Sequence, residues 1–403
     1  MTLTFTPTPL SGVAAAPPSK SMAHRYLLAA ALARGTSRIA GVAGSEDILA
    51  TVDCLSALGA RATWEGDTVT VTGIDPCRAL PKAPLPCRES GSTLRFFLPL
   101  CWLSGHPATL SGSTRLFERP LSVYHEIAAR EGLTLTVDGN TVTVCGRLAG
   151  GDYPVRGDIS SQFITGLLSA LPFTGRDSTV RLLPPVESRS YLDLTVAALG
   201  RFGLPVRFSD DNTLLIPAQD ALVATDCRVE GDHSNAAFLA ALALLGHDVR
   251  VTGLDPDSAQ GDRIFRKYFL ALQRGMPTLS LADCPDLAPI LMAVAAALHG
   301  GHFVHTRRLK LKESDRGAAM AEELAKFGVR VTLGVDEITV HPSALRPPCE
   351  VLCGHNDHRI VMAVATLCTL VGGSIAGCEA VRKSFPDYFD VIKALGAKFT
   401  VNP

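Results

Sequence analysis

The chain is short of aromatic residues, of charge of one sign and of long apolar runs, and each shortage removes a class of function. Only 6% of its 403 residues are Phe, Trp or Tyr although 47% are hydrophobic, so the apolar content rests on Ala, Leu and Val, which suits helices packed on sheets. Acidic and basic residues nearly cancel at 39 against 38, giving a formal charge of −1. No global field draws a nucleic acid or an anionic membrane, and any anion site must be local. The most apolar windows, such as residues 290–298, fall well short of the roughly 20 residues that a membrane span needs. Residues 1–19 lack a basic stretch followed by an apolar core, and prolines interrupt them. No signal peptide is read there, and a cytoplasmic protein is expected. A disulfide framework is also missing: eleven cysteines, an odd number, are scattered through a long chain, as reduced core thiols are. Cys349, Cys353, His355 and His358 imitate zinc spacing, but the segment mixes a strand pattern with a turn and fits no standard ligand set, so no metal is expected.

What the chain does have is length enough for two hydrophobic cores and a repeat. Six times an amphipathic helical pattern runs into a glycine and then into a β-like stretch, at Gly59, Gly132, Gly203, Gly275, Gly328 and Gly396, with steps of 73, 71, 72, 53 and 68 residues. Before each glycine the apolar positions fall at helical spacing, as in Ile48, Val52, Leu55 and Leu58, so the glycine reads as a helix C-cap. Four of the glycines are followed by hairpin signals, in residues 63–72, 134–144, 206–216 and 330–340. The short step follows Gly275, where only 11 residues precede the next helix-start signal at Asp286. The sixth copy stops after one strand, and residues 3–9 are expected to complete it.

Each repeat also opens with a second helix, apolar almost all round and therefore buried, whose first turn is polar. These starts are Ser19-Lys20-Ser21, Glu89-Ser90-Gly91-Ser92, Ser160-Ser161-Gln162, Asp232-His233-Ser234, Asp286 and Asp357-His358, and Pro99 should distort the second helix. The pattern predicts an α/β protein of two similar domains, each with three helix–strand–helix–strand–strand units. One domain covers residues 19–227, and a discontinuous one joins 1–18 to 228–403. The chain is expected to cross between them near Pro17-Pro18 and near Cys227-Arg228.

A helix N-terminus offers unpaired N–H groups and the positive end of the helix dipole, and so suits phosphate or carboxylate. Six such ends facing an interdomain cleft would form an anion site. Cations sit where that arrangement needs them: Lys20, Arg25, Arg119, Arg316, Arg359 and Lys383. Arginine supplies forked contacts to phosphate or carboxylate, and lysine a mobile point charge.

At this point the motifs become recognisable. Pro17-Pro18-Ser19-Lys20-Ser21-Met22-Ala23-His24-Arg25 closely resembles the opening motif of the enolpyruvyl transferases that act on shikimate 3-phosphate. Glu118-Arg119-Pro120-Leu121, Ser160-Ser161-Gln162-Phe163, Val229-Glu230-Gly231-Asp232, Lys312-Glu313-Ser314-Asp315-Arg316, Asn356-Asp357-His358-Arg359 and Lys383-Ser384-Phe385-Pro386-Asp387-Tyr388 continue the resemblance in order to the C-terminus. It implies an inside-out α/β barrel of three βαβαββ units per domain, with neither metal nor organic cofactor. It also implies two small-molecule substrates, shikimate 3-phosphate and phosphoenolpyruvate, and no nucleic-acid or membrane partner; a monomer is the default expectation. The implied reaction adds the 5-hydroxyl to C2 of phosphoenolpyruvate while C3 is protonated, then eliminates phosphate, in the aromatic amino-acid branch of metabolism.

Carried over position by position, the resemblance assigns Lys20, Ser21, Arg25, Ser160, Ser161, Gln162, Ser188, Tyr191, Asp286 and Lys312 to shikimate 3-phosphate, with Arg25 on its carboxylate. Lys20, Gly91, Arg119, Gln162, Arg316, Arg359 and Lys383 fall to phosphoenolpyruvate. Asp286, Glu313 and Lys20 are the expected catalytic groups, with acid and base not told apart. For Asp286 the plain alternative is a helix cap, and for Glu313 a surface ion pair. Two departures stand out: Glu89 occupies a position where such enzymes often have Asn and needs Arg88 or Arg95 to neutralise it, and Arg308 replaces a substrate-touching Asn. The nearest competing reading is a UDP-N-acetylglucosamine enolpyruvyl transferase. That enzyme normally carries a reactive cysteine in the stretch corresponding to residues 111–121, where none occurs here. A non-catalytic anion-binding relative is a third reading, and the presence of Lys20, Asp286 and Glu313 argues against it.

Overall fold

Six helices with almost no polar face organise the chain in the computed structural model, which describes residues 1–402. They run Lys20–Ala31, Gly91–Cys101, Ser161–Ala170, His233–Leu244, Ala288–Ala297 and His358–Val371. In the fifth, every residue from Ala288 to Ala296 is buried. Burying one Leu or Ile completely is worth about 1.5–3 kcal/mol, so these segments have no stable place outside a core. Five of the six start on a side-chain cap, in which Ser19, Ser90, Ser160, Asp232 and Asp357 accept from backbone N–H groups of the first turn. The fifth differs from the sequence expectation. Its helix begins at Ala288 behind a 3-10 turn, Pro285–Leu287, and Asp286 lies within that turn.

The amphipathic helices Glu46–Leu58 and Ser122–Glu131 end on Gly59 and Gly132 in the left-handed conformation, which glycine adopts without steric cost. At Phe202, Phe327 and Leu395 the cap falls one residue before the glycine. The four hairpins form where the alternating pattern placed them, for example Arg61–Glu65 with Thr68–Thr72 and Thr134–Asp138 with Thr141–Gly146.

The chain divides into two compact units, Pro18–Glu230 and Met1–Pro17 with Gly231–Pro403. Strand Cys227–Arg228 pairs in parallel with Ile39–Ala40, which draws the chain up to residue 230 into the first of these units. That unit holds three four-stranded sheets and a two-stranded pair, Leu222–Val223 with Ala33–Arg34. The other holds two four-stranded sheets and a two-stranded pair, all discontinuous in sequence where they use the N-terminus. Thr2–Thr6 inserts between Gly373–Ala376 and Lys398–Asn402, antiparallel to both, and so completes the truncated sixth repeat. Ser11–Ala15 pairs with Asp248–Thr252 and supplies the strand that the short fourth repeat lacks. Each unit has its own hydrophobic core centred on its inner helices. The strands form separate sheets, and no closed hydrogen-bonded barrel occurs among the described residues.

Candidate active site

In the unit Pro18–Glu230 the most informative side chain is Arg25, 6% exposed, on the first inner helix. Its Nε donates to Thr195 Oγ1 at 2.8 Å, one terminal nitrogen to the Ser21 carbonyl at 2.7 Å, and the other to the Tyr191 carbonyl at 3.1 Å and Thr165 Oγ1 at 3.4 Å. Every acceptor is neutral. Burial pushes the guanidinium down to about 10, still charged at neutral pH. A buried cation oriented by neutral groups retains its full charge for an anionic ligand.

The neighbouring groups gather round the starts of the three inner helices. Lys20 pairs with Asp47 at 2.7 Å, with both side chains largely buried. Gly91 opens the second helix, and a methyl group placed on it would lie 2.5 Å from Arg119 NH1. The absent side chain of Gly91 therefore seats the Arg119 guanidinium. Gln162 bridges two elements, donating to Ser92 Oγ at 2.9 Å and accepting from Arg95 at 2.7 Å, while Arg95 stacks 4.9 Å over Phe163. Gly166 lets this third inner helix press against the second, because a side chain there would strike the Arg95 carbonyl and the Tyr124 hydroxyl. Ser160 caps its helix through Gln162 N, and Ser161 is buried beside it. Ser188 is buried in the left-handed region at φ 57°, a strain of the kind that sites for ligands keep. Arg88 does not act on Glu89 as the sequence suggested: its guanidinium turns to Glu46 and to Asp53, at 2.7 Å from the latter.

In the other unit three cations converge on one carboxylate. Asp286 accepts from Lys312 Nζ at 3.0 Å, Arg316 NH1 at 2.7 Å and Arg359 NH2 at 3.1 Å. It caps no helix, so the plain structural alternative for it fails. Burial by itself would raise the Asp286 carboxyl, but Arg359, Lys312 and Arg316 outweigh it and hold the group well below the usual carboxylate range. Asp286 is therefore a carboxylate. Glu313 pairs with Arg316 NH2 at 2.7 Å, an ion pair anchored on an arginine only 1% exposed rather than on a surface cation. Arg316 also binds Asp357 at 2.9 Å, and these carboxylates more than offset its burial and raise its pKa. Burial lowers the Lys312 ammonium, partly countered by Asp286, and Arg308, itself buried, adds to the lowering. Arg359 further reaches Ser234 Oγ at 2.6 Å. Lys383 is half-buried and donates to the Asn356 carbonyl at 2.6 Å.

The structure thus joins Asp286, Glu313, Lys312, Arg316 and Arg359 in one network, and holds Lys20, Arg25, Gly91, Arg119, Ser160, Ser161, Gln162, Ser188 and Tyr191 at the helix starts of the other unit. The idea of bare helix tips needs correction, since side chains cap five of the six, and Asp232 and Asp357 do so with a negative charge. Sequence reasoning missed Asp47, Thr165 and Thr195 as partners of the cations, because Asp and Thr at helical positions carry no motif of their own. It also read Asp357 only as a helix start, although the carboxylate holds Arg316 as well. The Cys349, Cys353, His355 and His358 set does not assemble: both thiols are exposed and His358 is buried. His355 instead meets buried Glu323 at 2.8 Å, beside Glu322, and Lys326 lies 3.0 Å from Glu323. An ammonium in that place suits an ion-pair cluster and opposes a metal cation.

Buried arginines at the helix starts of one unit, and a cluster of cations round an ionised aspartate in the other, suit small, multiply charged anions. The relatives of the chain are specific. The family model described as EPSP synthase (3-phosphoshikimate 1-carboxyvinyltransferase) matches residues 5–392. A 3-phosphoshikimate 1-carboxyvinyltransferase of Clostridium kluyveri is 37% identical, with 98% of this chain and 97% of that protein aligned, and one of Clostridium novyi is 34% identical over 97% and 96%. The fold matches that of an EPSP synthase from Acinetobacter baumannii with a TM-score of 0.78 at 22% identity, covering 99% of this chain and all of that one. The chain belongs to the EPSP synthase family.

Proposed function

We infer that the chain transfers the enolpyruvyl group of phosphoenolpyruvate to the 5-hydroxyl of shikimate 3-phosphate and releases phosphate. The observation that carries this reading is the ionised Asp286 clasped by Lys312, Arg316 and Arg359, in a chain matched to the family from residue 5 to 392. Arg25, with only neutral partners, suits the shikimate carboxylate, and Ser160, Ser161 and Ser188 suit its phosphate. Lys20, Arg119, Arg359 and Lys383 supply the charge that phosphoenolpyruvate needs, Gln162 a polar contact, and Gly91 the seat of Arg119.

In the addition step the hydroxyl oxygen bonds to C2, its proton passes to a base, and C3 gains a proton. Asp286 is ionised and can therefore accept this proton, so it is assigned as the base. Glu313 and Lys20 are left to deliver the proton to C3 and to stabilise the charge. In the elimination step C3 loses a proton and the C2–O bond to phosphate breaks, which restores the double bond. The protein acts as a monomer in the cytoplasm. The test is phosphate release from phosphoenolpyruvate with either shikimate 3-phosphate or UDP-N-acetylglucosamine. Release with shikimate 3-phosphate alone is expected, and release only with the nucleotide sugar, or with neither, overturns the assignment.

A further inference from the structure

One buried carboxyl beside Asp286 has no part in the steps above and lies in none of the motifs. Asp262, 5% exposed, sits in the 3-10 turn Gly261–Ile264. The turn is fastened to the start of the helix His233–Leu244, since the Gln260 side chain accepts from His233 N at 3.0 Å and donates to the Gly231 carbonyl at 2.8 Å. Asp262 hydrogen-bonds with Ser234, and the Ser234 hydroxyl takes Arg359 NH1 at 2.6 Å. The same guanidinium holds Asp286 through its other nitrogen at 3.1 Å. A line of contacts therefore runs from Asp262 through Ser234 and Arg359 to Asp286. The charged and titratable groups around Asp262 are Asp286 and Asp232, both acidic, Arg359, and the thiol of Cys284, which burial keeps protonated. His233, at the start of the neighbouring helix, directs its Nε2 to the Asp255 carbonyl.

We propose that Asp262 is a positioning residue for Arg359: protonated, it leaves the guanidinium to Asp286 and the anionic donor substrate, and ionised, it draws the guanidinium back through Ser234. The inference rests on the assignment of Arg359 to phosphoenolpyruvate. Burial, with the nearby negative charge of Asp286, pushes the Asp262 carboxyl up to about 7, so the exchange falls near neutrality. Below that pH the site keeps its full positive charge, and above it a second buried anion competes with the substrate for the same arginine.

The experiment measures kcat and KM for phosphoenolpyruvate on both sides of neutrality, with the full chain and with Asp262→Asn, which keeps the size and the acceptor facing Ser234. In the parent chain KM is expected to rise at least about fivefold across neutrality beyond any rise in the variant, with little change in kcat. Comparison with the variant cancels the titration of the substrate itself. Superimposable KM profiles overturn the proposal. Should the variant fail to fold, infrared titration of the unliganded parent decides: a protonated-carboxyl band that vanishes near neutrality supports the proposal, and its absence there overturns it. If the parent chain turns over neither substrate pair, the functional reading falls and takes this role of Asp262 with it. Matching profiles in an active enzyme remove only the latter.

Discussion

The buried arginines of the two units are held by opposite means. Arg25 is oriented by two threonine hydroxyls and two carbonyls, and among the described residues no carboxylate pairs with it. Arg316, at 1% exposure, is gripped by Asp286, Glu313 and Asp357. Hydroxyls and carbonyls fix geometry without neutralising, so the charge of Arg25 remains available to a ligand. Carboxylates fix geometry and cancel charge, so Arg316 meets an incoming anion only by giving up an acid. What it does at rest is hold Asp286 and Glu313 in place. A cation in a candidate site is thus a binder or an organiser according to what surrounds it, and the residue type alone does not distinguish the two.

The sharpest break of this comparison is Asp286→Ala. Turnover is expected to fall about a thousandfold, within the range for loss of general acid–base catalysis, while calorimetry shows shikimate 3-phosphate still bound. Undiminished turnover would remove Asp286 from the mechanism. Because the Asp286 pKa is depressed, its contribution to stability is present above the ordinary carboxylate pKa and is lost as pH falls through its own. The gap in melting temperature between parent and variant should therefore persist at neutral pH and close only in strong acid.

Next come paired substitutions of the two arginines. Arg25→Lys is expected to weaken shikimate 3-phosphate binding by about tenfold to a hundredfold with a small change in melting temperature. Arg316→Lys should instead cost about 1–3 kcal/mol in denaturant unfolding, because one ammonium cannot satisfy the three carboxylates that the forked guanidinium holds. Equal stability losses in the two variants would erase the distinction between binder and organiser. A smaller effect is expected of Gly91→Ala. The new methyl displaces the Arg119 guanidinium, so KM for phosphoenolpyruvate should rise about tenfold while shikimate 3-phosphate affinity holds. An unchanged KM would mean that the seat of Arg119 has no bearing on the donor. The smallest is Thr195→Val, which removes one neutral acceptor of Arg25 and should weaken shikimate 3-phosphate binding by severalfold. No change at all would show that the neutral cradle does not orient Arg25.

Much of the fold was legible in the chain. The period of the glycines, the apolar helices and the hairpin turns depend on local pattern, and local pattern survives in sequence. The strand at residues 2–6 could be anticipated because the sixth repeat visibly ran short. The pairing of Ser11–Ala15 with Asp248–Thr252 could not, since it depends on a contact between segments more than two hundred residues apart with no shared signal. The same limit explains why a cap was the plain alternative for Asp286 and why Arg88 stood beside Arg95 as a partner for Glu89. An Asp before an apolar run has the pattern of a cap, whereas the three cations that claim it arrive from Lys312, Arg316 and Arg359.

By itself, then, the sequence determined the repeat, the buried helices and the cast of charged residues, because these follow from spacing and polarity along the chain. Only the tertiary structure decided which charges cancel and which remain: that Asp286 is ionised, that Arg25 keeps its charge, that Arg119 rests on Gly91, and that burial raises the Asp262 carboxyl. Coulomb interactions and desolvation act over a few ångströms regardless of sequence distance, so these outcomes are set by folding.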